Sequence, residues 1–252
     1  MQMRNKLTRK HLLMTGILFG LISIAVGAVN LGGSPHQSKL DAGQVQNKTS
    51  ALQVVSLTPV LSPSGKAEGA VALTVKNVLS KKEVTGLVIT NAAVQVQIDF
   101  ISQDYTIPPG GLYSYAVQPQ SKGAGVKESD ISVLAAILDD QTYDGDAKTG
   151  QLFLDWRKGE KRELELLLPV LKNAMHLQSD GVTASALAEI DKVPHPHHVD
   201  LPGSVRQGSH EIRDRVVGHI QEYRTGGQRS KAEELHFLGQ LYQQYSRMLS
   251  KL

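Results

Sequence analysis

Residues 131–138 read ISVLAAIL and form the most apolar stretch between residues 51 and 154. A short apolar run of this length, bounded by polar residues, is typical of a buried strand. We therefore predict that this stretch is the central strand of a sheet. The segments on its N-terminal side indicate what kind of sheet it belongs to, and those on its C-terminal side have a different periodicity.

The segments before this stretch predict further strands. Residues 70–78 and 94–101 alternate between apolar and polar side chains, and a period of two indicates a half-buried strand. Strands are also predicted at residues 52–61, 84–90, 113–117 and 151–154. About seven short strands separated by turns favour a mainly β plus α fold, with an antiparallel immunoglobulin-like β-sandwich at residues 51–154.

The segments after it predict helices. Leucines spaced three and four apart predict a helix over residues 155–178, with a kink or a break at Pro169 because an internal proline removes a backbone hydrogen bond. A second helix is predicted at residues 183–192, before a Pro/His/Gly linker at residues 193–208. The two helices, residues 155–192, are expected to pack on the sandwich or to follow it.

Residues 209–252 predict a helical hairpin. Ser209 opens one helix, and Ser230 opens the other with Glu233 three residues later, which is the pattern of a capping box. The last helix carries an apolar stripe, formed by Leu235, Leu238, Leu241, Tyr242 and Tyr245. We expect this stripe to pack within the protein, to bind a protein partner, or to pair with a second copy.

The segment Leu12–Val29 is apolar and uncharged and lies after a basic stretch. Its length nearly matches that of a membrane-spanning helix, and the cations before it favour a cytoplasmic N-terminus. Residues 1–30 are therefore predicted to be a bacterial-type signal-anchor or a cleaved signal peptide, and the polar residues 31–50 a flexible tether. Everything after about residue 30 is expected to lie outside the cytoplasm. It would belong to a single-pass membrane protein of the bacterial cell envelope or, after cleavage, to a secreted or periplasmic protein.

The composition excludes several kinds of site. The chain has no cysteine, which rules out disulfides, thiolate metal sites and cysteine nucleophiles. The basic residues of the leader account for the formal net charge of +3, so we expect no nucleic-acid partner. The sequence contains no nucleophile elbow, phosphate-binding glycine loop or zinc-protease motif, so we expect neither enzymatic activity nor a cofactor.

The segment DDQTYDGD is the first candidate metal site, with Asp139, Asp140, Asp144 and Asp146 as its aspartates. Acidic loops bind calcium when several of their oxygens converge on one point. The alternative is a hairpin turn around Asp144-Gly145, because the Asp-Gly pair favours a type I′ turn.

The segment containing His195, His197 and His198 is the second candidate, with His210 and Asp200 near it in sequence. Imidazole nitrogens are good ligands for zinc and similar ions. The segment also contains prolines and receives no ligand from a packed helix, so the alternative is a solvated linker.

The only tryptophan, Trp156, lies near the start of the first predicted helix. We expect it to anchor that helix on the sandwich. The neighbouring Arg157 is expected to pair with a nearby carboxylate such as Asp155 or Glu160.

Three segments in a fixed order resemble a known group of proteins. They are LTVKNVLSKKEVTGLVI at residues 73–89, YTIPPGGLYSYAV at residues 105–117, and residues 131–171, from ISVLAAIL to ELLLPVL. Their order resembles uncharacterised exported or membrane-anchored proteins of Acidobacteria and related bacteria, in which a β-sandwich is followed by helices. The chain departs from that pattern at residues 140–142, Asp-Gln-Thr. The resemblance implies a fold and no chemistry.

These features favour a non-enzymatic binding or structural module held outside the cytoplasm. Sandwich domains mostly present surfaces for recognition, and that argument rests on fold analogy alone. One alternative is a metal-binding protein that uses the His195–His198 segment or the Asp139–Asp146 loop. Another is an extracytoplasmic hydrolase of an uncatalogued type.

Overall fold

A computed structural model describes residues 41–61, 67–92, 94–119, 126–176, 181–227 and 229–252. In this part of the chain two β-sheets precede four α-helices, which confirms the mixed β plus α fold class. The strands are β1 (Gln46–Asn47), β2 (Leu52–Leu61), β3 (Ala67–Asn77), β4 (Val84–Asn91), β5 (Val94–Asp99), β6 (Leu112–Val117), β7 (Ile131–Leu138) and β8 (Tyr143–Gly145). The helices are α1 (Ala147–Ala174), α2 (Val182–Ile190), α3 (Gly203–Thr225) and α4 (Lys231–Lys251).

The larger sheet is built around β7. Its strand order is β1-β7-β4-β5, and β8 also pairs with β7. Since β7 has partners on both sides, the central position predicted for ISVLAAIL is confirmed. The pairing of β1 with β7 is parallel, whereas the other pairs of this sheet are antiparallel.

The smaller sheet has the order β2-β3-β6, and both of its pairs are antiparallel. Apolar side chains from the two sheets form one buried cluster. Leu57 and Leu73 enter this cluster from the smaller sheet, and Leu87 and Val133 enter it from the larger one. The two sheets therefore share one core.

The other face of the larger sheet is covered by α1. Val88 and Ile137 belong to a second buried cluster, together with Phe153 and Trp156 of α1. A Cβ atom at Gly86 would lie 2.8 Å from the Phe153 ring, so glycine is needed there for the helix to approach the sheet. A strand that is covered on both faces does not alternate with polar residues, which explains the continuous apolar run in β7.

The second half of α1 belongs to a third cluster, which the four helices build together. Its buried members include Leu164, Leu167 and Leu171 from α1, Val182 and Ile190 from α2, Ile212, Val216 and Ile220 from α3, and Leu238, Leu241 and Tyr245 from α4. Because α1 contributes to two clusters, it connects the sheets to the other helices.

The backbones of α1 and α3 meet at two glycines. A Cβ atom at Gly159 would lie 2.0 Å from the Val205 carbonyl oxygen, and one at Gly208 would lie 1.9 Å from that of Trp156. The Ser209 hydroxyl donates a hydrogen bond of 2.9 Å to the Gly159 carbonyl oxygen. Only glycine permits this close approach of the two helices.

The strand predicted at residues 151–154 is wrong, because these residues belong to α1. The helix begins at Ala147, where the Asp146 carboxylate accepts a hydrogen bond of 2.9 Å from the Thr149 amide. Phe153 and Trp156, three residues apart, then pack on the sheet from one face of the helix. The boundary expected at residue 154 is therefore replaced by a helix start at Ala147.

A break at Pro169 is also wrong, because α1 remains helical through it. Pro169 and Glu165 are both exposed, so the Glu165 carbonyl, which loses its usual donor, lies on a solvent-facing side. The buried Leu164 and Leu168 stabilise the helix on its other side.

Two segments predicted to be irregular contain secondary structure. Within the predicted linker, Pro196–His198 form a 3-10 turn, and α3 begins at Gly203. Within the predicted tether, Ala42–Gln44 form a 3-10 turn and β1 pairs with β7. The hydrogen bonds of β1 to an apolar neighbouring strand override the polar composition of this segment.

The remaining predictions concern the ends of the chain. The leader Leu12–Val29 and tether residues 31–40 lie outside the described residues. Among the helices that are described, none is long and apolar enough to cross a membrane. At the other end, the capping box is confirmed, because Ser230 and Glu233 bond reciprocally at the start of α4.

The Gly159→Ala substitution tests the close crossing of α1 and α3. Its methyl group would overlap the Val205 carbonyl, so we expect a loss of about 3 kcal/mol or more in the free energy of unfolding. Gly218→Ala in α3 is the matched control, because in the described structure no neighbouring side chain or packed helix lies within 4 Å of its added Cβ, and a gain of about 0.5–1 kcal/mol is expected. Urea unfolding of the full-length chain measures both, and equal effects would contradict the crossing.

Candidate functional site

The aspartates of the first candidate metal site are used separately. Asp140 pairs with Lys82 at 2.6 Å and accepts a hydrogen bond of 2.5 Å from the Thr142 hydroxyl. The bond to Lys82, followed by that to Thr142, lowers the pKa of Asp140 to about 2. Asp146 caps α1, and its bonds to Thr149 lower its pKa. Asp139 lies in the β7–β8 turn, where its amide donates to the Glu83 carbonyl.

The turn expected at Asp144-Gly145 is wrong, because both residues belong to β8. The β7–β8 hairpin turns instead at residues 139–142, where the Leu138 amide donates to the Thr142 carbonyl at 2.9 Å. The Asp144 carboxylate accepts from the amides of Ser50 and Ala51 at 2.5 and 2.6 Å. Asp144 thus joins the hairpin to the segment that enters β2.

The histidines of the second candidate site lie together. The ring centroids of His195 and His197 are 5.0 Å apart, and that of His210 lies 4.6 Å from that of His197. The ring of His198 lies 6.0 Å from that of His195. The three histidines of this segment and His210 of α3 therefore lie close together.

The described rings contact one another directly. His195 and His197 are stacked, and the His195 Nδ1 accepts from the His197 amide at 3.3 Å. Burial, together with the charge of Arg213, lowers the pKa of His195. Within the described ranges of the chain, no group of three or more His, Asp or Glu side chains is placed to hold a metal ion.

Trp156 anchors α1 on the larger sheet, as expected. Its indole Nε1 donates a hydrogen bond of 2.9 Å to the Glu211 carboxylate, which adds α3 to the same contact. The partner expected for Arg157 is different, because its guanidinium pairs with Asp99 of β5 rather than with Asp155 or Glu160.

The Arg157–Asp99 pair is almost fully buried, with side chains 2% and 6% exposed. The Arg157 Nε donates to Asp99 at 3.1 Å, while Nη1 and Nη2 donate to the hydroxyl and carbonyl of Thr85 at 3.0 and 2.6 Å. The Ser102 amide donates to the second Asp99 oxygen at 3.2 Å. This pair is not predictable from the sequence, because the two residues are 58 positions apart and no local pattern relates them.

Two further buried carboxylates lie on the same helix. Glu163 accepts a hydrogen bond of 2.6 Å from Arg213 Nε of α3, and burial raises its pKa against the effect of this bond. Arg213 also donates to the carbonyls of Val193 and Pro194, so it ties the histidine segment to both helices. Glu160 is buried as well, yet neither of its carboxylate oxygens has a hydrogen-bond partner in the described part of the chain.

A cleft of about 180 Å³ lies between β5 of the larger sheet and β6 of the smaller one. Among the described residues, its lining contains no acidic or basic side chain and consists of Ile89, Asn91, Val94, Val96, Tyr115, Val117, Gln118 and Pro119. The Asn91 side chain donates to the Gln118 carbonyl at 2.8 Å. Val94 at the rim is 51% exposed.

Each strand beside the cleft is the last of its sheet in the described residues. β5 pairs there with β4, and β6 pairs with β3. Terminal strands present unpaired backbone groups, which natural proteins usually protect with charges, prolines or bulges. β2, which ends the other side of the smaller sheet, has Pro59 and two register shifts, whereas β5 from Val94 to Ile98 and β6 have neither charge nor proline.

Aromatic rings pack at the far end of β6. Phe100 and Tyr113 meet edge to face at 4.6 Å, and Tyr105 lies 5.6 Å from Phe100. Burial, followed by the neighbouring Tyr115, raises the pKa of Tyr113 to about 12. Tyr113 therefore contributes to the aromatic packing at this end of β6.

The apolar stripe of α4 mostly faces the protein. Leu238, Leu241 and Tyr245 are buried in the helical cluster, and Leu235 and Tyr242 are half-buried against it. The Tyr245 hydroxyl also lies 3.2 Å from Nδ1 of His219 in α3. Only parts of Leu235 and Tyr242 remain open to a partner.

Comparisons with models of protein families, with curated proteins and with solved structures gave no match.

The Arg157→Met substitution tests the buried ion pair. It leaves the Asp99 carboxylate buried without its cation, so we expect a loss of about 3–5 kcal/mol in the free energy of unfolding. The control is Lys158→Met, the next residue, whose exposed pair with Asp155 is worth about 1 kcal/mol or less. Urea unfolding followed by the fluorescence of Trp156 measures both, and a loss below about 1 kcal/mol for Arg157→Met would contradict this role.

Proposed function

We propose that the chain is a non-enzymatic binding module of the bacterial cell envelope, held outside the cytoplasm by its leader or released there after cleavage. In this proposal the two sheets act as an immunoglobulin-like β-sandwich, and the chain is related to the exported proteins of Acidobacteria that it resembles. The basic flank and the apolar length of Leu12–Val29 support the location.

The cleft between β5 and β6 is the single observation that carries the binding role. Its lining is apolar with amide groups at one end, and the strands on either side end their sheets in the described residues. An extended peptide segment matches both properties, because its backbone pairs with a terminal strand while alternate side chains enter the pocket. The partner is therefore an extended, uncharged and partly apolar segment of another protein.

The buried ion pair supports this role by keeping β5 in place. Asp99, at the C-terminal end of β5, is bound to Arg157 of α1, while Val94, at the N-terminal end, lies at the rim of the cleft. A recognition strand that is fixed at one end loses less conformational freedom on binding. The C-terminal stripe, with Leu238, Leu241 and Tyr245 buried, offers a partner less surface.

Site-specific photo-crosslinking tests the proposed surface. A photoreactive amino acid at Val94 in the full-length chain, expressed in bacterial cells, is expected to give a discrete adduct with one protein. The matched control is Val55 on β2, which is 45% exposed and therefore almost as accessible as Val94 at 51%. Equal adducts at the two positions, or none at Val94, would contradict recognition at the cleft.

The Val94→Lys substitution provides a second test. The rim position is half-exposed, so we expect the free energy of unfolding to change by about 0.5 kcal/mol or less. A lysine at the rim places a charge beside an uncharged pocket, so binding of the crosslinked partner should weaken at least about tenfold. Val55→Lys should leave the affinity unchanged, and calorimetry with the purified partner measures both variants.

A further inference from the structure

Glu160 is a buried carboxyl group to which no described residue donates a hydrogen bond. It lies in the middle of α1, is 0% exposed, and neither carboxylate oxygen has a partner among the described residues. The nearest cationic atom is Arg215 Nη1, 3.7 Å from Oε1, which is too far for a hydrogen bond. Buried polar groups nearly always have a partner, so this residue calls for an explanation.

The β-strand and the helices around Glu160 (β5, α1, α3 and α4) each place a charged or titratable group near its carboxyl. These groups are Asp99 from β5, Arg157 from α1, Glu211 and Arg215 from α3, and Tyr245 from α4. The Arg157 guanidinium is already engaged by Asp99 and Thr85. Arg215 is the remaining cation of this set, and its side chain is 29% exposed.

This environment favours the protonated carboxyl. Burial raises the pKa of Glu160 well above its usual range, and the negative charge of Asp99 raises it further against the effects of Arg215 and Arg157. A neutral carboxyl costs much less to bury than a carboxylate that lacks donors. The folded protein therefore retains a proton that the unfolded chain releases near pH 4.5.

We propose that Glu160 is a proton-dependent lock between the helices and the sheet. While the carboxyl is protonated, α3 and α4 pack closely against α1. When it ionises at higher pH, the buried charge requires water, and because Glu160 is 0% exposed, water reaches it only where α3 and α4 separate from α1. This device is independent of the binding cleft.

The sign of the pH dependence is set by the proton that the folded state retains. Between about pH 4.5 and the higher pKa of the folded state, unfolding releases one proton from Glu160. Stability is therefore highest below this window and falls as the pH rises through it. Within this pH window, the release of the Glu160 proton on unfolding increases the equilibrium constant for unfolding about tenfold per pH unit.

The Glu160→Gln substitution tests the lock, because glutamine has the same shape and no charge to develop. Urea unfolding of the full-length chain from pH 4.5 to 9, followed by the fluorescence of Trp156, gives the unfolding constant at each pH. The ratio of the wild-type constant to that of Glu160→Gln is expected to rise about tenfold per pH unit and then to level off. Glu165→Gln, an exposed position on the same helix, should leave the wild-type profile unchanged.

A ratio that stays constant with pH would overturn the proposal. So would a Glu160→Gln variant that is less stable than the wild type at the upper end of the pH range.

Hydrogen exchange of the wild-type protein gives an independent measurement if the variant does not fold. After correction for the intrinsic effect of pH, amides of α3 and α4 should lose protection as the pH rises, while those of β4 and β7 keep theirs. Equal loss of protection in the helices and the strands would contradict a local lock.

Discussion

The buried ion pair between Arg157 and Asp99 is the interaction on which the arrangement of sheets and helices depends. The first half of α1 packs on the larger sheet through Phe153 and Trp156, and the second half packs in the helical cluster. Arg157 lies between these contacts and donates to β5 and to Thr85 of β4, so it sets how α1 lies on the sheet. A buried ion pair of this kind adds little to the free energy of folding compared with apolar packing, whereas the loss of one partner is costly. Its main effect is therefore to select this placement of α1 on the sheet over other placements.

The contact between α1 and α3 adds a second constraint. Gly159 and Gly208 let the two backbones approach, and a Cβ atom at Gly208 would lie 3.2 Å from the Glu160 amide nitrogen. Glu163 is satisfied by Arg213 on the same pair of helices, whereas Glu160 has only a distant cation. Two carboxyls one turn apart thus have different roles: Glu163 holds α3 on α1, and Glu160 makes that contact sensitive to protonation in the proposed lock.

β5 connects this charged region to the proposed binding surface. Its accessibility falls along the strand, from the exposed Val94 to the buried Asp99. One end of the strand is therefore fixed by α1 and the other borders the uncharged cleft. The role proposed for the cleft needs this combination, because a terminal strand recognises a peptide well only when its own position is fixed.

Local patterns in the chain were enough to predict the fold class, most strand positions, the central place of β7 and the capping box of α4. Each depends on short-range spacing of apolar residues or on one capping residue. The same patterns brought His195, His197 and His198 together, because they are neighbours in the chain. Packing in three dimensions was needed to show that residues 151–154 are helical, that Pro169 is tolerated, and that Asp144 ties a hairpin to β2. Packing also paired Arg157 with Asp99, left Glu160 without a donor among the described residues and placed β5 beside β6. The reason is physical: these features join residues far apart in the chain, and the free energy of burying them together depends on neighbours that local spacing does not specify.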